Sequence, residues 1–599
     1  SMVAQRRFSD LTFNTPSEKP TPPDLILNTF CSQMDLASLK EPTYLNIEGL
    51  DGVRHLGNMQ VLVLDWAKTV IMHEWDGQPA IATGTALHGA LMIICAMREY
   101  NVPAKKAPLT AFADDDSRSF SPDSLCRMDY MPDRLEAIEI PLEWLEFNPS
   151  PKMQHILDYP LLFNKDSIVK YFRCINFSRM SRSYEEASSL RSRMDAIVDT
   201  GSLITNPHHK LVLQDLLQTA SDKYLVLSVS REHILRDAFD ELLRRERREL
   251  LRPLKVHLGE ESGELGFDSG GVQQEFFRLV LGECLDPKYG AFITDDRTRM
   301  AWFMPGSVVE PWRYELIGLL VSLAIFNGLT LPVTFPLALY RKLLGWPVTE
   351  LAHIDDGWPD LANGLSTLGQ WDEADGLVED VFARTYEFSL ENFGSHVTRM
   401  MDKAEASWPQ TGTELNTGDS RNDQDEAADV TGANRDEYIS DYIRYLTDVS
   451  VRPQFEAFQK GFSACLSSKS LTLLSPELLQ SIVEGEQEID ISELRRHVKY
   501  VDYSPSDRVI KDFWSIVKRY DMPTKRKLLE FVTASDRVPT GGISNVQFVI
   551  HRGSEEKDSR LPSAYTCFGI LMLPNYSSKE ILREQLAMAL KHAQGFGFL

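Results

Sequence analysis

Apolar positions recur at helical spacing along most of this chain, and strand-like runs are few and short. Between Leu25 and about Tyr100 the spacing is helical, as at Val61, Leu62, Leu64 and Trp66 and then at Leu87, Leu91, Ile94 and Cys95. Short helical and strand-like runs alternate from Ile140 to Ser181. A long amphipathic helix is predicted over about residues 231–251, with Ile234, Leu235, Phe239, Leu242 and Leu243 on its apolar face. Residues 253–258 read as a strand, and a glycine turn at 267–272 leads into a helix over 273–281. The run 316–326 is apolar, between Arg313/Glu315 and Asn327-Gly328. A bilayer span needs about 20 residues, so this run predicts a buried core helix. Near the end, Ser577-x-x-Glu580 reads as a capping box, followed by a helix with Leu582, Leu586, Ala589 and Leu590 on one face.

Two stretches break this pattern. Residues 1–24 are rich in Pro, Ser and Thr and predict a flexible arm, and residues 402–436 are polar and predict a solvated insertion. At roughly 100–200 residues per domain, a chain of 599 residues holds several. The formal charge of −24 disfavours sequence-independent nucleic-acid binding, which needs cations to displace counterions, and it disfavours an anionic membrane surface. A basic protein partner remains compatible. Seven cysteines are scattered at 31, 95, 126, 174, 284, 465 and 567 with no C-x-x-C pair, so zinc and thioredoxin-like chemistry have no support. Wide spacing and an odd count suit a reducing compartment, and the opening residues lack the apolar core of a signal peptide. No metal or cofactor site is expected.

Cys567 lies between two apolar runs, in Leu561-Pro562-Ser563-Ala564-Tyr565-Thr566-Cys567-Phe568, before Leu571-Met572-Leu573-Pro574. A lone cysteine is either a small buried hydrophobe or, where its thiolate is accessible, a nucleophile. Other motifs accompany it in a fixed order. They are Asp268-Ser269-Gly270-Gly271-Val272-Gln273-Gln274-Glu275-Phe276-Phe277, Tyr340-Arg341-Lys342-Leu343-Leu344-Gly345, Gln454-Phe455-Glu456-Ala457-Phe458-Gln459-Lys460-Gly461-Phe462, Gly541-Gly542 and Arg552-Gly553. Together they resemble the HECT ubiquitin-protein ligases, most densely from about residue 228 to 599.

The resemblance implies an α+β fold: a mostly helical N-terminal lobe and a small α/β C-terminal lobe, preceded by a helical region. The implied organisation is a helical region of unknown role at 25–138 and an N-terminal extension with the N-lobe at 139–484. Within the lobe, a subdomain at about 346–390 would dock the conjugating enzyme. A hinge follows at 485–487, with Gly485 giving the freedom, and the C-lobe at 488–599. Cys567 would accept ubiquitin from the conjugating enzyme as a thioester and pass it to a substrate lysine. Thr566 would support the sulfur. Phe596, fourth from the end of this sequence, would dock the C-lobe on the N-lobe, and the carboxylate of Leu599 would assist lysine attack. Leu361, Leu365 and Leu368, with Trp371 extending their face, would form an exposed groove for the conjugating enzyme. Partners would be ubiquitin, a conjugating enzyme and protein substrates, in the cytoplasm or nucleus. Two competing readings are a non-catalytic scaffold of the ubiquitin system and a cysteine hydrolase. The hydrolase would need a positioned histidine and an oxyanion hole, and neither His551 nor His592 is assigned that role.

Overall fold

The structure is a computed structural model. It describes residues 59–101, 135, 137–199, 222–259, 271–295, 297–392, 395–400, 428–486, 489–533, 535–539, 542–543, 546–553, 558–566 and 569–592. The arm at 1–24, most of the insertion, and Cys567, Phe596 and Leu599 lie outside the described residues. The chain forms two compact units, 1–175 and 176–599.

In the first unit, α1 (Met59–Glu74), β1 (Ala80–Ala82), α2 (Ala86–Asn101), α3 (Glu139–Glu146) and β2 (Met153–His155) follow in order. Leu87, Leu91 and Ile94 are buried as their spacing requires, whereas Trp66 is half exposed. The strand β1 carries no strand-length apolar run. It exists because it pairs antiparallel with β2, Ala80 opposite His155. Where alternating runs are predicted up to Ser181, a single helix α4 (Lys165–Asp199) takes over from Lys165. Ile168, Val169, Phe172 and Ile175 explain it, since they recur every three or four residues and are all buried. The boundary between the units falls within this helix.

The second unit begins with β3 (Leu225–Val229), α5 (Ile234–Leu243) and β4 (Leu254–Leu258), the two strands pairing in parallel. The helix predicted over 231–251 is therefore much shorter. Its apolar face is used up by Leu242, and the charged run from Arg244 to Arg248 has nothing to bury. A separate 3₁₀ turn (Glu249–Leu251) then buries Leu250. Next come α6 (Gly271–Cys284), the hairpin β5 (Phe292–Thr294) and β6 (Ala301–Phe303), α7 (Pro311–Phe326), α8 (Leu337–Leu343), α9 (Pro359–Gln370) and α10 (Val378–Phe382). A hairpin of β7 (Glu387–Asn392) and β8 (Ser395–Met400) precedes α11 (Arg435–Thr447), α12 (Arg452–Phe462) and α13 (Pro476–Glu484). The chain rejoins the body by residue 428, earlier than the predicted end of the insertion at 436. The Tyr386 amide donates to the Ala428 carbonyl at 2.7 Å, and Val430 is fully buried.

The predicted core helix is α7, and every residue from Leu316 to Phe326 is buried. It crosses α12 at close range because each helix presents a glycine to the other's backbone. A Cβ on Gly318 would strike the Phe458 carbonyl, and a Cβ on Gly461 would strike the Glu315 carbonyl. An ion pair between Lys460 and Glu315 at 2.8 Å flanks the crossing.

The C-terminal region holds α14 (Ile491–His497), β9 (Lys499–Val501), α15 (Arg508–Val517), α16 (Met522–Thr533), β10 (Val549–Arg552), β11 (Ser563–Tyr565), β12 (Ile570–Leu573) and α17 (Lys579–His592). Its sheet has the order β11-β12-β10-β9, with β9, β10 and β12 parallel and β11 antiparallel. Phe513, Trp514, Val517, Ile550, Leu571 and Leu586 belong to a hydrophobic cluster drawn entirely from this region. The predicted capping box is replaced by a simple N-cap one residue later, since Ile581 has no side-chain acceptor to return a bond. Ser578 accepts from the Ile581 amide at 3.3 Å, because the Ser577 hydroxyl is already committed to Asp558.

Gly461→Ala is expected to cost about 1–3 kcal/mol, the usual range for forcing atoms into a packed interior. A fall in the urea midpoint followed by tryptophan fluorescence would register it; an unchanged midpoint would contradict the reciprocal-glycine crossing.

Candidate active site

The segment around the sequence-predicted nucleophile is held from both sides. Strand β11 pairs antiparallel with β12, Tyr565 opposite Ile570, so only residues 566–569 connect them. Thr566 is half-buried, and its carbonyl accepts from the Gly569 amide at 3.2 Å. The Gly569 carbonyl in turn accepts from the Val549 amide at 2.8 Å, tying the connection to β10. Gly569 has φ +58°, in the left-handed region, and a Cβ there would collide with the Gln547 carbonyl. Glycine meets both demands at this position. Cys567 and Phe568, inside this connection, lie outside the described residues.

The approach to β11 is pinned as well. The Asp558 carboxylate accepts from the Ser577 amide at 2.8 Å and from its hydroxyl at 2.5 Å. These bonds hold the Asp558 carboxyl below its ordinary range. Arg508 donates to the Tyr576 and Ser577 carbonyls at 2.5 and 2.6 Å, and the Tyr576 hydroxyl donates to the Arg560 carbonyl at 2.6 Å. Residues 558–560 are thus fastened to the start of α17.

Two other cysteines of this unit are described. Cys284 and Cys465 are fully buried. Burial raises the thiol of Cys284 far above its ordinary value and pushes that of Cys465 up to about 12. A thiol held protonated inside a core is a packing residue, not a nucleophile. His551 pairs with Met572 in the sheet register, whereas Val549 pairs with Ile570 at the start of β12. It therefore sits at the end of the strand away from the 566–569 connection. Its ring faces the Arg552 carbonyl at 2.7 Å and the Asp502 carboxylate at 3.6 Å.

The structure corrects the expected docking groove. Leu365 and Leu368 do not face solvent; they are 3% and 1% exposed, in a core with Val378, Tyr386, Phe388, Tyr438 and Tyr445. Half of that core is aromatic, with the rings of Phe388 and Tyr438 stacked, and the leucines of α9 belong to its aliphatic half. Leu361 and Trp371 are half-buried at the margin of the same core. The Trp371 indole donates to the Gly376 carbonyl at 3.0 Å and meets Phe382 edge-on. Beside them, Leu377 and Val381 are about half exposed. Sequence reasoning missed this pair, although it was legible: Val378 is the inward residue of α10, and Leu377 and Val381 stand four apart beside acidic Glu379 and Asp380.

At the junction into the C-terminal region, Gly485 has φ +69° and packs so that a Cβ would lie 2.6 Å from the Val538 carbonyl. Glu486 exchanges two backbone hydrogen bonds with Val538, at 2.7 and 3.1 Å. Residue 487, the last of the expected hinge, lies outside the described residues.

An α/β region with a cysteine in a tied strand connection, joined to a helical body through a glycine, defines a class of protein. The family model described as HECT-domain (ubiquitin-transferase) matches residues 278–599, more than half of the chain. The chain belongs to the HECT family. It is 33% identical over 387 residues to the probable E3 ubiquitin-protein ligase HECTD2 of Mus musculus, covering 62% of this chain and 46% of that protein. To the probable E3 ubiquitin-protein ligase HERC4 of Homo sapiens it is 32% identical over 419 residues, 69% of this chain and 37% of that one. To the probable E3 ubiquitin-protein ligase HUL4 of Eremothecium gossypii it is 30% identical over 396 residues, 63% of this chain and 44% of that one. The chain spans less than half the length of these relatives. Among the described residues, no helix is long and apolar enough to cross a membrane.

Gly569→Ala is expected to destabilise the C-terminal region by about 2–3 kcal/mol, since left-handed backbone and a steric collision act together. Thermal unfolding of the full chain, followed by tryptophan fluorescence, would register the drop; an unshifted transition would show that the connection does not need glycine.

Proposed function

We propose that this chain is a ubiquitin-protein ligase that carries ubiquitin as a thioester on Cys567. The observation that carries the reading is the condition of the three cysteines in the family-matched region: two are buried and held protonated, and the third lies in the β11–β12 connection. The relatives' description as E3 ubiquitin-protein ligases supports the same assignment.

The chemistry runs in two acyl transfers. The Cys567 thiolate attacks the carbonyl of the thioester between ubiquitin and its conjugating enzyme. A new carbon–sulfur bond forms at Cys567, and the conjugating enzyme's thiolate leaves. A substrate lysine, as the neutral amine, then attacks the Cys567 thioester. An isopeptide bond forms, the amine gives up a proton to solvent or a nearby base, and the Cys567 thiolate leaves. Thioester exchange is close to energetically balanced, so the first step asks mainly for an ionised thiol and a correct approach. No protease-like histidine is needed for it, consistent with the distant place of His551 in the sheet.

In this reading the helical body up to residue 484 is the N-lobe, residues 485–487 are the hinge and residues 488–599 are the C-lobe. The conjugating enzyme docks at the margin formed by Leu361, Trp371, Leu377 and Val381, while Leu365 and Leu368 support it from beneath. Half-exposed apolar groups beside an aromatic anchor suit a partner loop. Docking on one lobe and accepting on the other requires the C-lobe to rotate about the hinge. Thr566 orients the thiol segment through its backbone. Protein substrates supply the lysine, in the cytoplasm or nucleus.

Incubation with activating enzyme, conjugating enzyme and ubiquitin is expected to give an adduct that a reducing agent removes. Cys567→Ala should abolish it, whereas Cys284→Ala and Cys465→Ala should retain it. An adduct that survives Cys567→Ala, or none on the unmodified chain with a panel of conjugating enzymes, would overturn the proposal.

A further inference from the structure

Two oppositely charged residues are buried at the junction between the helical body and the C-terminal region. Glu484, the last residue of α13, is only 3% exposed, and Arg537, in the loop after α16, only 8%. The Glu484 carboxylate accepts from the Phe335 amide at 2.8 Å and from the Tyr340 hydroxyl at 2.7 Å. Gln480 of its own helix also faces it. All of these belong to the helical body. The C-terminal region contributes Arg537, which donates to Thr334 at 3.1 Å and lies 3.5 Å from Asp536. The Nη1 of Arg537 has no hydrogen-bond partner among the described residues. The Glu486–Val538 backbone bonds lie two residues beyond Glu484 and one beyond Arg537. An ion pair, Arg278 with Glu530 at 3.9 Å, joins α6 to α16.

We infer that Glu484 and Arg537 are positioning residues, whose mutual attraction holds the C-terminal region in one alignment on the helical body and so sets how Cys567 is presented for loading. The consequence for loading rests on the ligase reading above; the alignment itself does not. An unpaired buried charge is costly, so rotation that removes Arg537 leaves Glu484 exposed to that cost, and the aligned state is favoured.

The pair is also sensitive to pH near neutrality. Burial pushes the Glu484 carboxyl up to about 7, opposed by the Phe335 and Tyr340 bonds, by Arg537 and by Gln480. Tyr340 stays protonated, because burial raises it well above its ordinary value. The Phe335, Tyr340 and Gln480 bonds belong to the helical body and stay with Glu484 during rotation, so Arg537 is the charged neighbour that changes. Arg537 lowers the Glu484 pKa, so the aligned state gains as pH rises through about 7 and loses as pH falls below it. Global folding stability runs the other way. A carboxyl raised in the folded state contributes stability below its unfolded value, which is lost as pH rises through the folded one. The two signs separate positioning from a merely structural role.

The test uses the full chain. Amide exchange at Glu486 and Val538, corrected for intrinsic rates, is expected to rise several-fold in Glu484→Gln and in Arg537→Gln, with the double variant no worse than either. Protection at these amides should increase from pH 6 to pH 8 in the unmodified chain and stay flat in Glu484→Gln. Single-turnover loading of Cys567 should lose the same pH step in Glu484→Gln, with conjugating-enzyme affinity unchanged; Cys567 ionisation is common to both proteins and cancels in the comparison. Unaltered protection and an unaltered pH step in Glu484→Gln would overturn the inference. If the unmodified chain fails to load while the exchange results hold, the ligase reading fails and the positioning pair stands.

Discussion

The connection between β11 and β12 is the constraint on which the proposed chemistry depends. Two strands in antiparallel register leave only residues 566–569 to turn the chain. The turn is closed by Gly569, whose backbone bonds to Thr566 on one side and to Val549 on the other. Any side chain at 569 would meet the Gln547 carbonyl. The described residues on either side of Cys567 are thus held by backbone hydrogen bonds. This arrangement suits acyl exchange between thiols, in which the difficulty is approach and ionisation rather than activation of a poor nucleophile.

Rigidity on one side and freedom on the other follow from how glycine is used. In the helical body, Gly318 and Gly461 let α7 and α12 approach until backbone meets backbone, producing an interface with little room for sliding. At the junction, Gly485 takes a left-handed conformation that lets Glu486 turn onto Val538. Among the described residues, the polar contacts that join the body to the C-terminal region are a two-way backbone bridge, the Arg537–Thr334 hydrogen bond and the Arg278–Glu530 ion pair. Such an interface can be released without dismantling either hydrophobic core.

Elements defined by long-range apolar repetition were legible in the sequence. The α7 run, the α2 positions Leu87, Leu91 and Ile94, and the strand at 254–258 needed only periodicity. What the sequence hid was determined by partners distant along the chain. Leu365 and Leu368 have the spacing of an exposed groove or of a core stripe, and only Phe388 and Tyr438, arriving from later elements, decide for the core. Ser577 and Ser578 are equally good caps until Asp558 claims the first. Glu484 looks like an ordinary charged helix end, and its burial depends on Tyr340 and Arg537, each more than fifty residues away in sequence. The family resemblance rested on ordered motifs, and the match over residues 278–599 bears it out.

The central claim, that residue 567 carries ubiquitin covalently, is tested most directly by exchanging its sulfur for oxygen. Cys567→Ser, incubated with activating enzyme, conjugating enzyme and ubiquitin, is expected to trap an ester that survives thiol reductants, breaks in alkali and maps by mass spectrometry to position 567. An adduct that stays reducible in this variant, or that maps to another residue, would contradict it.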